Sequence, residues 1–90
     1  MKIYVTGSLI QHREIRLIAH TLSTINGYVV RFVKSHVELN LEDCIKLRYD
    51  NIDWCDAVYI LKREDGGLPD GVTYEKVYAQ KQHKDIYYIN

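Results

Sequence analysis

The sequence predicts a small α/β domain of the three-layer, flavodoxin-like (Rossmann-like) class, with a four-stranded, mainly parallel sheet in the order 2-1-3-4. Three observations carry that prediction. Short apolar runs rich in β-formers alternate with stretches of helical period, giving β-α-β-α-β-α-β over residues 1–90. Such alternation calls for right-handed crossovers and helices on both faces of the sheet. The third observation is the loop from Lys62 to Gly71, whose Gly66, Gly67, Pro69 and Gly71 separate an apolar strand from a helix. Strand, glycine-rich loop and helix is the arrangement with which α/β folds hold ligands at the carboxyl edge of the sheet.

The first strand is expected at Lys2–Val5, followed by a tight turn, Thr6–Gly7–Ser8. From Gln11 the period changes, and Ile15, Ile18, Ala19, Leu22 and Ile25 recur at steps of three and four, the stripe of an amphipathic helix. Asn26–Gly27 ends that helix with residues that tolerate a left-handed cap. Tyr28–Val33 reads as the second strand, and Arg31 in its middle suits a sheet edge or a stem reaching water. Residues 34–40 read as loop, with Asn40 as the cap of a helix over Leu41–Asp53 whose Glu42 and Asp43 complement its dipole. Leu41, Ile45 and Ile52 share one face of that helix, and Arg48 falls on the same stripe. Ala57–Leu61 is the third strand. A last helix opens near Asp70 and is expected to pack through Tyr74, Val77, Tyr78 and Lys81, and Ile86–Ile89 closes the sheet. In the order 2-1-3-4 the switch point lies between strands one and three. The Thr6–Ser8 turn and the Glu64–Glu75 segment then face each other across one cleft.

The totals narrow the functional classes. Twelve basic and twelve acidic residues balance, so no net field favours a nucleic-acid polymer or a membrane surface. Apolar runs reach about five residues, against the roughly 20 of a membrane span. Met1–Lys2 leads straight into a strand, without the pattern of a signal peptide, and a cytoplasmic protein is expected. Cys44 and Cys55 have neither metal spacing nor the pattern of a disulfide framework. His12, His20, His36 and His83 are scattered, so no metal and no cofactor are expected.

Glu75 follows the glycine loop. It admits two readings, an acidic residue complementing a first-turn dipole or a carboxylate at the ligand edge. Gly7–Ser8 likewise reads as an ordinary strand-to-helix turn or as a small site for an anion or ribose. The chain has neither the GxGxxG of a dinucleotide fold nor the GK[ST] of a P-loop. Asp56 reads as a structural turn residue, and the cysteines as small packing residues. Several of the eight tyrosines lie in strands, and a base could stack on one near the cleft.

Three segments, KIYVTGS, WCDAVYIL and GVTYEKVYA, together resemble the nucleoside 2-deoxyribosyltransferase superfamily, including its nucleotide-hydrolase branch and its small phage and bacterial relatives. The resemblance covers most of the chain except the region from Arg31 to Asn40. It implies a flavodoxin-like fold, a nucleoside or nucleoside monophosphate as ligand, and homo-oligomerisation. In that family the glutamate after the glycine loop attacks the anomeric carbon of the deoxyribose. Glu75 holds that position, Tyr4 matches a tyrosine lining the sugar, Gly7 and Ser8 match the turn at the 5′ side, and Gly71 matches a glycine that admits the ligand.

Two departures qualify the resemblance. The family places an aspartate eight residues before the acidic residue that opens strand three, and here that position is Arg48. Arginine stays protonated and cannot serve as an acid-base group. It suits binding a phosphate or carboxylate, or pairing with Glu75. The sequence also ends at Asn90, after strand four, where relatives continue into another strand. The readings are therefore an enzyme acting on the N-glycosidic bond of a deoxynucleoside or its 5′-monophosphate, an inactive nucleotide-binding relative, and an interaction domain without a small ligand.

Overall fold

The computed structural model describes residues 1–8, 11–33, 41–63 and 65–89, with Leu41 described by its backbone alone. Seven elements follow the predicted alternation: β1 (Lys2–Thr6), α1 (His12–Ile25), β2 (Val29–Arg31), α2 (Leu41–Trp54), β3 (Ala57–Leu61), α3 (Asp70–Lys81) and β4 (Asp85–Ile89). The strands form one sheet in the order β2-β1-β3-β4, and every pairing is parallel. The flavodoxin-like class predicted from the alternation is the class observed.

β1 and β3 lie at the centre of the sheet, and Ile3–Thr6 are buried on both faces. Strand alternation divides their side chains between two layers. Tyr4, Val58 and Ile60 pack with Ile52 and Cys55, and with Val72 and Ala79 of α3. Ile3, Val5 and Leu61 pack on Ile15 of α1. One helix thus covers one face and two cover the other.

β2 is shorter than its apolar run. It leaves the ladder after Arg31, and Phe32 and Val33 turn in as half-buried packing. Arg31 sits on the edge strand as expected, its guanidinium carbon 4.0 Å above the Trp54 ring. Gly27 takes the left-handed conformation predicted after α1, at φ 69°.

Three packing expectations need correction. Ile25 is 78% exposed, because α1 extends past the end of the face it covers. Ile45 of α2 is exposed and lines a cleft instead of the core. On α3 the inward residues are Val72, Glu75 and Ala79, while Tyr74, Val77 and Lys81 are exposed. Apolar periodicity misreads α3 because its buried stripe holds a carboxyl group and an alanine, and its largest apolar side chains lie on the other side. The predicted cap at Asn40, the loop at 34–40 and Glu64 lie outside the described residues.

Candidate active site

Position and burial argue against the dipole reading of Glu75. It is the sixth residue of α3, beyond the first turn, whose acidic residue is Asp70. Its side chain is 1% exposed, so it does not act as a solvated complement to the helix dipole. A buried carboxylate is costly unless its oxygens are hydrogen-bonded and its charge is paired. Both conditions are met. The Tyr4 hydroxyl donates to Oε2 at 2.5 Å, the Thr6 hydroxyl donates to Oε1 at 2.8 Å, and Arg48 Nη1 donates to Oε1 at 3.0 Å.

The three donors arrive from two elements, β1 and α2. Tyr4 and Thr6 lie two apart on β1 and therefore point to one face of the sheet. The parallel order places β1 beside β3, whose following loop leads into α3. Arg48 comes from α2, on the inward stripe that the sequence assigns to it, and forms an ion pair with Glu75 while 23% of its side chain stays exposed. Gly71 lies beside the ion pair, where an added Cβ would stand 3.4 Å from Arg48 Nη1, close to an ordinary contact.

Burial pushes the Glu75 pKa above its ordinary value, and the Tyr4 hydroxyl, the Arg48 charge and the Thr6 hydroxyl offset part of that rise. Burial, followed by the Glu75 charge and hydrogen bond, lifts Tyr4 well above its usual range. Tyr4 therefore stays protonated and keeps its role as donor. A carboxylate offers about four lone-pair sites. Among the described residues, Oε1 uses two of them and Oε2 one, so Oε2 keeps a lone pair for an incoming atom.

The group borders a cleft of about 520 Å³ lined by Cys44, Ile45, Arg48, Tyr49, Gly71, Tyr74 and Glu75. That volume lies within the range of small-molecule sites, roughly 300–1,000 Å³. One wall is stiffened where Tyr49 stacks on Tyr78, with ring centroids 4.3 Å apart and planes 9° from parallel. On the other side of Arg48 lies a hollow of about 10 Å³, whose lining includes Tyr4, Thr6, Gly7 and His12.

Of the residues selected from the sequence, Tyr4, Arg48, Gly71 and Glu75 converge on one point. Gly7 borders the small hollow but has a packing reason of its own, because a Cβ there would lie 3.1 Å from Leu61 Cβ. Ser8 is not among the residues lining either cavity. It is buried at the start of the α1 region, where its carbonyl accepts from the Gln11 N–H at 2.9 Å. Asp56 accepts the Lys2 backbone N–H at 2.9 Å, the structural role expected of it. Among the described residues no group of three or more His, Cys, Asp or Glu side chains is placed to hold a metal.

Thr6 is the residue that sequence reasoning passed over as part of a turn. Its signal was available, since whatever Tyr4 lines, the residue two places along the strand lines as well.

No protein-family model matches the sequence, and no curated protein matches it. Among solved structures, the fold is similar to that of the CMP N-glycosidase BcmB of Clostridium botulinum, with a TM-score of 0.72 at 19% sequence identity. The match covers 98% of this chain and 70% of that chain. At that identity the likeness shows a common fold. Among the described residues, no helix is long and apolar enough to cross a membrane.

Proposed function

We propose that this protein is a nucleoside 2-deoxyribosyltransferase-like enzyme that cleaves or transfers the N-glycosidic bond of a deoxynucleoside or its 5′-monophosphate, with Glu75 as nucleophile. The observation that carries the reading is a buried carboxylate at the edge of a ligand-sized cleft, oriented by three donors from two other elements. A purely structural carboxyl would serve no purpose that a packed apolar side chain would not serve at lower cost. The similarity of fold to a CMP N-glycosidase agrees with this chemistry.

In the first step a Glu75 oxygen lone pair forms a bond to the anomeric carbon. The carbon–nitrogen bond breaks, and its electron pair leaves with the base, which takes a proton from solvent. Tyr4, Thr6 and Arg48 hold the carboxylate in one orientation and stabilise its charge when the sugar leaves it again. In the second step a water oxygen bonds to the same carbon and loses a proton to solvent, while the carbon–oxygen bond to Glu75 breaks and its electron pair returns to the carboxylate. A second base in place of water makes the reaction a transfer.

One observation favours a second reading. Arg48 stands where the related enzymes carry an aspartate and is already paired with Glu75, which suits a protein that binds a nucleotide without turning it over. A panel of deoxynucleosides and their 5′-monophosphates, monitored for free base, tests the proposal, with Glu75→Gln as control. Base release by the native protein and its loss in the variant support the enzyme. Saturable binding without release supports the second reading.

A further inference from the structure

We infer that the open half of the sheet's α1 face is a self-association surface, on which a second copy of this chain seats its own α1. That surface lies on the opposite side of the sheet from Tyr4 and Glu75, and it is independent of the proposed reaction.

An all-parallel sheet is normally covered on both faces, because its strands carry apolar side chains on each. Here α2 and α3 cover one face. Among the described residues α1 is the only helix on the other, and it packs chiefly against β1 and β2. Strand alternation puts Tyr59 and Tyr87 side by side on that second face, with Ile89 further along β4. The Tyr59 and Tyr87 ring centroids stand 5.2 Å apart, and Tyr87 is 47% exposed. α1 overlooks this strip with a flank on which Glu14, Leu17 and Ile18 recur at helical spacing, and Leu17 is 66% exposed. Between flank and strip runs a groove of about 560 Å³, with Leu61 and Ile89 on its sheet side and Arg63 at its carboxyl end.

What stands beside the strip selects what covers it. An apolar ridge, the α1 flank, and an apolar hollow, the β3–β4 strip, lie parallel and adjacent on one chain, the arrangement that an isologous interface needs. A two-fold axis parallel to the strands, running above the groove, carries the α1 of each copy over the open strip of the other. Leu17 of one copy then packs toward Tyr59 and Tyr87 of the other, and the two α1 helices form a middle layer between two sheets. The same axis keeps both carboxyl edges at one end. Glu14, in the first turn of α1, thereby meets Arg63 of the second copy, just after β3. Arg63 is available for that contact, because its own approach to Asp65 is 3.7 Å long and lies in solvent. A net charge of zero sets no long-range repulsion between copies.

The test is sedimentation equilibrium from micromolar to submillimolar concentration. The native protein is run beside Leu17→Glu, Tyr87→Lys, Glu14→Arg, Arg63→Glu and the Glu14→Arg/Arg63→Glu pair. The native protein is expected to dimerise reversibly. Leu17→Glu and Tyr87→Lys should each weaken the dimer about tenfold or more, since each buries a charge in an apolar contact. Glu14→Arg and Arg63→Glu should each weaken it about threefold, and their combination should restore near-native affinity. Neither a folding defect nor a contact elsewhere gives that rescue. All four side chains are exposed in the single chain, so the variants should keep the fold, which circular dichroism checks. Should a charge at Leu17 or Tyr87 disturb folding, the charge reversal and its rescue still decide. A native protein that stays monomeric throughout overturns the inference, whatever else binds the strip. A dimer unmoved by the Leu17 and Tyr87 variants also overturns it, because that dimer uses another face.

Discussion

The two ends of the sheet handle polar groups in opposite ways. At the amino end, where α2 and α3 finish and β3 and β4 begin, polar side chains are satisfied near the surface. Lys84 Nζ donates to the carbonyls of Cys55 at 2.8 Å and Asp53 at 3.2 Å, and the Tyr78 hydroxyl donates to Asp53 at 2.7 Å. These contacts tie chain ends together, and water would replace most of them at little cost. At the carboxyl end, Tyr4, Thr6 and Glu75 are buried and Arg48 is mostly so. The first arrangement serves stability. The second costs stability in order to hold a carboxylate in one orientation beside a cleft.

The largest expected effect breaks that contrast at its centre. Glu75→Gln is nearly isosteric and keeps one acceptor oxygen for its neighbours, yet removes the proposed nucleophile. Base release should fall by roughly a thousandfold or more, measured by chromatography of the free base. Thermal stability near neutral pH should be maintained or increased. A variant that keeps native turnover would show that the buried carboxylate is not the attacking group.

The pH dependence sharpens the same point. Burial raises the Glu75 pKa above its ordinary 4.5, so the folded state holds this proton more tightly than the unfolded state. The stability this contributes is fully present below pH 4.5 and is lost as pH rises through the folded value. Native protein should therefore lose stability relative to Glu75→Gln as pH is raised across that window, in parallel denaturation series. Turnover should move the other way, rising with pH as the carboxylate ionises. A stability difference that is flat with pH would mean that the donors fully offset the burial.

Gly7 belongs to the carboxyl end by position but acts through packing. In Gly7→Ala the new methyl would meet Leu61 Cβ at 3.1 Å, the Leu61 carbonyl at 3.2 Å and Ile15 Cδ1 at 3.3 Å. Overpacking of this kind should cost about 1–3 kcal/mol in chemical denaturation. An unchanged midpoint would show that β3 and α1 yield freely at this turn.

The legibility of the chain follows the same division. The strand order was readable because β1 and β3 are short and apolar and alternate with helical stretches, and topology rules leave few alternatives. Glu75 and Arg48 were readable because each sits where local pattern predicts something else, a charge on an inward stripe or an acid after a glycine loop. The packing face of α3 was not readable. Its inward positions hold Val72, Glu75 and Ala79, and the polar cluster on β1 decides that orientation from about 70 residues away. Thr6 stayed hidden for a related reason, since a hydroxyl at a strand end has many uses and only its partner across the sheet reveals which one applies.

The smallest expected effect lies at the amino end. His83 joins α3 to β4 in the left-handed region, at φ 57°, with its N–H donating to the Gln80 carbonyl at 3.1 Å. A side chain in that conformation costs roughly 1–2 kcal/mol, and glycine avoids the cost while losing more backbone freedom on folding. His83→Gly should therefore raise stability by up to about 1 kcal/mol, read as a small increase in thermal midpoint. Ligand affinity in the cleft should not change, because the strain relieved lies at the far edge of the sheet from Glu75. A gain in stability accompanied by a change in affinity would show that the two ends are mechanically coupled through α3, whose first residues border the cleft and whose last residue leads into this turn.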